Sequence, residues 1–317
     1  MVKAKLATVL AVLLAMVTLA APAANATPYY RDVFIRDNTS DVGSEPSGGS
    51  IYYSPDIKVC WTPAPCLVSK NPRVGMDNYV FVTLRRKPGG IGSVDGHLHL
   101  YRSSLGGGTA WPAGWTYIDT ATTSVPTGGT TVMITWPWWN VPGPGHFCLL
   151  ARWASGADPM TFAEGVNTQQ NAQRNNNIAW RNVDSVRVFP FKAVQVPYTI
   201  GNPERADSRQ SLIIEQPRPF AGVVTLDLGQ ELAARWKASG QRGVGVKQVS
   251  ETKVQIVDPK FARLDGLTLK GEERIETALT FETEKEAEPA ELHVRQVDAQ
   301  GVDLGGAQYL VNEIEKD

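Results

Sequence analysis

Tyr79-Val80-Phe81-Val82-Thr83-Leu84 is apolar almost throughout, as expected for a central strand buried on most sides. Phe147-Cys148-Leu149-Leu150-Ala151 reads the same way. Around these two, shorter β-prone runs recur between turn signals: Asp32 to Ile35, Ile57 to Cys60, Gly96 to Arg102, Thr131 to Trp136 and Val183 to Val188. Gly89-Gly90, Gly106-Gly107-Gly108, Gly128-Gly129 and Gly143-Pro144-Gly145 read as the turns between them. This spacing predicts an all-β sandwich.

The same style continues further on. Ser211 to Glu215, Gly222 to Leu226, Lys253 to Val257, Glu273 to Glu282, Glu291 to Val297 and Gln308 to Val311 read as strands. Leu228 to Ala238, with Leu232, Ala233 and Trp236 three and four residues apart, reads as a short crossover helix over a sheet edge. The composition shifts near residue 195. Residues 27–195 hold 8 of the 9 Trp and every Cys, with 14 Lys and Arg against 11 Asp and Glu; residues 196–317 have 15 against 21. The expected organisation is an export segment at 1–26, a Trp-rich, mildly basic sandwich at 27–195 and an acidic sandwich at 196–317, with the boundary near 192–205.

Export is read from Lys3 and Lys5, the apolar run Leu6 to Ala20, and Ala24-Asn25-Ala26 before a cut at Thr27. The run is short for a spanning helix, and no second stretch approaches spanning length, so the expectation is a secreted, periplasmic or cell-surface protein. A net charge of −1 gives no electrostatic case for nucleic acid as a partner. An oxidising compartment permits one disulfide among Cys60, Cys66 and Cys148. The short loop favours Cys60 with Cys66, leaving Cys148 as a buried thiol; the rival is a bridge from either to Cys148.

Tyr79 to Arg86, the strand His97-Leu98-His99-Leu100-Tyr101, the strand Gly145 to Arg152, and Asn175-Asn176-Asn177-Ile178-Ala179 followed by Val183 to Val188 together resemble the bacterial CARDB-type immunoglobulin-like domain. The resemblance covers roughly residues 52–190, with Tyr53 to Cys60 similar to the family's first strand. A Trp-rich insertion, Ala110 to Ile118, and a lead-in, Asp32 to Ser54, depart from the family pattern. The resemblance implies an immunoglobulin-like sandwich and a cell-adhesion context, and no catalytic residues. The second half looks like a further immunoglobulin-like module, with Leu267 to Glu272 as a strand and its turn.

Candidate chemistry is sparse. His97 and His99 project from one face of a strand, and His146 or Asp95 would be needed to complete a metal site; the plainer reading is an imidazole pair beside Tyr101, with Leu98 and Leu100 facing the core. No metal or cofactor is assigned. Asp37, Asp41 and Glu45 lie in a polar segment whose spacing fails the EF-hand pattern, which leaves an irregular calcium loop or Asx-turns. Glu282, Glu284, Glu286, Glu288 and Glu291 read as a solvated hairpin. HExxH, GxSxG, P-loop and CxxC signatures are all missing. Trp111, Trp115, Trp136, Trp138 and Trp139 are the contact candidates, because flat rings stack on sugar faces and anchor protein partners. If the strand continues through Pro137, Trp136 and Trp138 share a face. The rival reading places these rings inside the sandwich.

The leading expectation is an exported, non-enzymatic binding or structural protein of the cell surface, an envelope matrix or an extracellular assembly, with a protein or surface polysaccharide as partner. A carbohydrate-binding module is the alternative. A secreted hydrolase with a dispersed site, using His97 or Asp56, comes third.

Overall fold

The computed structural model describes residues 31–137, 139, 141 and 146–312. The export segment and Trp138 lie outside them. The described chain is nearly all β. Its first part runs β1 (Val33–Phe34), β2 (Ile57–Cys60), β3 (Asn78–Arg86), β4 (Val94–Ser104), β5 (Thr116–Val125), β6 (Thr130–Trp136), β7 (Phe147–Ala154), α1 (Thr168–Arg174), β8 (Ile178–Arg181) and β9 (Val183–Val186). In one sheet β3 pairs with β1, β2 and β6; the other runs β5-β4-β7-β8. Val80, Val82 and Leu84 are fully buried and share a core with Leu98, Leu100, Ala151 and Trp153 of the facing sheet. Phe81, on the opposite face of β3, is only 8% exposed, which accounts for an unbroken apolar run where a half-solvated strand would alternate. Each such buried side chain contributes about 2 kcal/mol of hydrophobic stabilisation.

The second part runs β10 (Val194–Gly201), β11 (Ser208–Arg218), β12 (Val223–Asp227), α2 (Gly229–Ala238), β13 (Gly243–Val244), β14 (Val246–Gln248), β15 (Lys253–Ile256), β16 (Ala262–Leu269), β17 (Arg274–Glu282), β18 (Ala290–Asp298) and β19 (Asp303–Val311). Its sheets are ordered β10-β17-β12-β15-β14 and β13-β16-β11-β18-β19-β9. Helix α2 leaves β12 in the first of these and leads to β13 in the second, burying Leu232, Ala233 and Trp236 against the core. It is the crossover that the spacing predicts.

Three elements differ from expectation. Strand β5 begins in the last residues of the region read as an insertion and runs on to Val125; as an edge strand with four threonines it carries little apolar alternation. Helix α1 is polar apart from the buried Ala172 and is capped by Asn167, whose side-chain oxygen accepts from the Gln170 backbone N–H. The run Val183 to Val188, expected to close the first sandwich, instead supplies β9, which pairs in parallel with β19. Strand β8 takes the closing place beside β7. Asn182 makes the switch between sheets: its side-chain amide donates to the carbonyls of Gly106 and Gly306.

Gly106-Gly107-Gly108 is likewise a strap between the two parts rather than a turn. Gly106 bridges Thr199 in parallel and Gly107 bridges Gly305 in antiparallel sense. Gly107 donates to Thr199 O at 3.0 Å and Gly108 to Leu304 O at 2.7 Å. A Cβ on Gly106 would sit 2.0 Å from Thr199 O, and one on Gly108 2.0 Å from Gly201 O, at φ values of +145° and +62°. Only glycine permits that approach.

Candidate binding face

Cys60 and Cys66 form the local disulfide, with Cα atoms 5.7 Å apart. Cys148 is a buried free thiol, and burial pushes its pKa up to about 12. That environment leaves no thiolate for nucleophilic work at neutral pH.

The tryptophans expected to form a contact row go to different places. Trp136 is fully buried and meets Phe147 edge to face at 5.1 Å. Strand β6 ends there, so Trp136 offers no face to a ligand. Trp115 is 8% exposed; its indole N–H donates to Thr168 Oγ1 at 2.9 Å and its ring packs on Trp180. Both rings fill the interior. Trp139 is 68% exposed. Trp111 is half-buried and stands edge to face on Tyr101, with centroids 5.1 Å apart.

Trp111 therefore belongs to a face that the sequence only partly disclosed. On β4, His97, His99 and Tyr101 alternate with buried Leu98 and Leu100, so all three look outward. A register shift between Leu100 and Tyr101 sets Tyr101 opposite Tyr117 of β5, with ring centroids 5.8 Å apart. Tyr117 is 52% exposed, and its hydroxyl donates to Thr120 Oγ1 at 2.9 Å. On the β7 side Arg152 stands opposite His99 and binds Glu164 through Nε and Nη2 at 2.5–3.1 Å. Burial raises the Tyr101 pKa, and burial together with Arg152 and His97 lowers that of His99. The face thus combines two aromatic rings packed on Tyr101, two imidazoles and one ion pair. Sequence reading missed Tyr117 and the Arg152–Glu164 pair; the alternation through β4 was the available signal, but its neighbours depend on long-range register.

The remaining candidates are held in structural roles. His146 Nδ1 lies 2.7 Å from Asp184 Oδ2 rather than near His97, and that carboxylate raises the imidazole pKa. Asp41 Oδ1 accepts from Gly43 N and Oδ2 from Asp37 N, while Glu45 accepts from Asn176 N and Thr161 Oγ1. Asp37 and Asp41 thus sit in turn contacts, and among the described residues no group of three His, Cys, Asp or Glu side chains has metal-binding geometry. Asp56 is buried; burial acts to raise its pKa, but hydrogen bonds from Arg85 and Arg36 outweigh this and hold it below the usual range. Glu282, Glu284 and Glu286 line a groove of about 760 Å³ together with Phe191, Lys192 and Val223.

No family model matches the chain, the CARDB-type one included, and no curated protein matches it. Among solved structures it is similar to a putative membrane anchored protein from Corynebacterium diphtheriae, at 9% identity over 83% of this chain and 60% of that one, with a TM-score of 0.24. The C-terminal domain of the Streptococcus pyogenes antigen I/II-family protein AspA aligns at 8% identity over 81% of this chain and 100% of that one, TM-score 0.24. Red sea bream transglutaminase aligns at 12% identity over 82% and 32%, TM-score 0.20. The chain spans about a third of the transglutaminase and three fifths of the corynebacterial protein. Likenesses at this level bear on neither activity nor partner. Among the described residues no helix is long and apolar enough to cross a membrane.

Proposed function

We propose that the chain is an exported, non-enzymatic binding protein of the cell surface or envelope matrix, a CARDB-like sandwich joined to a second sandwich, and that it makes contact through the outward face of β4 and β5. The observation that carries this reading is the trio of Trp111, Tyr101 and Tyr117, with Tyr117 half open to solvent and the Arg152–Glu164 pair acting on Tyr101 from the β7 side. Rigid aromatic rings held by one another give contact area at small entropic cost, and a flanking ion pair supplies directional hydrogen bonds. The lysine-led apolar start and Ala24-Asn25-Ala26 support export. The exported form should be retained saturably by isolated envelope fractions, without turnover on a hydrolase substrate panel. Absence of any retention, or turnover abolished by His97→Ala in a folded protein, would overturn it.

A polysaccharide ligand is the second reading, favoured by the same trio because exposed ring faces stack on the apolar faces of sugars. Its check is tryptophan fluorescence against a glycan panel, in which a saturable shift lost in Trp111→Phe/Tyr117→Ala supports it and no shift with any glycan excludes it.

A further inference from the structure

His97 and His99 stand two residues apart on β4, facing outward, with ring centroids 6.2 Å apart and planes tilted by 30°. Each ring is tethered through the same atom. His97 Nδ1 lies 2.9 Å from Thr122 Oγ1, and His99 Nδ1 lies 2.6 Å from Thr120 Oγ1. The tethers come from cross-strand register, since Thr122 is opposite His97 and Thr120 opposite His99. Thr120 Oγ1 already accepts from the Tyr117 hydroxyl. The second lone pair of Thr120 Oγ1 is open to His99 Nδ1–H, and in that tautomer the unprotonated nitrogen is Nε2. In metal sites an oxygen acceptor on the other ring N–H sets the tautomer and orientation of the ligating imidazole, and here a threonine hydroxyl stands in that place.

We propose that this pair is a two-imidazole site for a divalent transition-metal ion, bound through both Nε2 atoms. An ion held at about 2.1 Å by Nε2 lies about 3.2 Å from the ring centroid, so a shared ion places two centroids at most about 6.4 Å apart and about 5.2 Å apart at a tetrahedral angle. The observed 6.2 Å falls inside that limit, and about 1 Å of closure by side-chain rotation reaches tetrahedral geometry. Arg152 is engaged by Glu164, which weakens its repulsion of a bound cation while its charge still acts on His99. No third His, Cys, Asp or Glu completes the set among the described residues, so water or a ligand on the adjoining aromatic face takes the open positions. Two imidazoles without carboxylate select zinc, copper or nickel over calcium and magnesium.

The test is calorimetric titration of the untagged chain with Zn²⁺ at neutral pH, with Ca²⁺ and Mg²⁺ as controls. One equivalent of Zn²⁺ should bind saturably, and His97→Ala and His99→Ala should each weaken binding at least tenfold while circular dichroism and melting stay unchanged. Thr120→Val, which removes an orienting hydroxyl and no ligand, should weaken it about tenfold, and His146→Gln should leave it intact. No saturable Zn²⁺ heat, equal binding in the His97 and His99 variants, or comparable Ca²⁺ binding would overturn the site. Envelope retention without Zn²⁺ binding would overturn the metal site and leave the contact face standing.

Discussion

Asp158 carries a pH dependence that can be read from its surroundings. Burial raises its pKa to about 6, reinforced by Asp32 and Glu45 and opposed by the Val33 N–H and the Asn177 amide. A carboxyl whose pKa is higher in the folded than in the unfolded chain destabilises the fold once ionised, so stability should rise as pH falls from above 6 towards 4. Asp158→Asn keeps a side-chain oxygen for Val33 and Asn177 and removes the charge; it should stabilise the chain at pH 8 by about 1–2 kcal/mol and leave it nearly unchanged at pH 4, as read by urea melts at both pH values. Cys148 makes a second prediction. With its thiol buried and its pKa near 12, it should resist iodoacetamide in the native protein and react stoichiometrically only after unfolding. Its place was legible in the apolar run Phe147 to Ala151. The Asp158 environment was not, because Val33 and Asn177 reach it from distant parts of the chain.

The Gly106–Gly108 strap shows where an element-level reading stops. A three-glycine run is compatible with any tight turn, and nothing local distinguishes a turn from a segment pressed against another backbone. The distinction lies with Thr199, Gly201 and Leu304, nearly a hundred residues or more away. Strands with strong apolar content, such as β3, β7 and β18, were legible because their side chains must be covered whatever the topology. Strand β5 and helix α1 were not, since threonine and glutamine carry little burial signal. The strap predicts coupling between the two parts. Gly106→Ala, which drives a Cβ to within 2.0 Å of a carbonyl, should lower the melting temperature by several degrees or split one calorimetric transition into two. Gly128→Ala, with open space at its Cβ, should do neither.

Across the whole molecule, a near-zero net charge conceals a first part of +3 and a second of −6. The aromatic face, the imidazole pair and the Arg152–Glu164 ion pair all lie on the first part, on one sheet. Composition pointed to the first part through its tryptophans, but not to the residues of the proposed face: Trp136 and Trp115 went inside, and Tyr101 and Tyr117 reached the surface. Tryptophan count reports ring volume, whereas exposure is decided by the side of the sheet on which each ring falls. The groove at Glu282 to Glu286 of the acidic part has its own exposed ring, Phe191 of the segment joining the two parts, which makes that ring a fair internal control. The most direct measurement is the affinity of residues 27–317 for isolated envelope fractions, compared among wild type, Trp111→Ala/Tyr117→Ala and Phe191→Ala. A contact face on β4 and β5 predicts at least a tenfold loss for the double variant, from about 1–2 kcal/mol per aromatic anchor, and no change for Phe191→Ala. Undiminished binding by a folded double variant, with loss in Phe191→Ala, would contradict it.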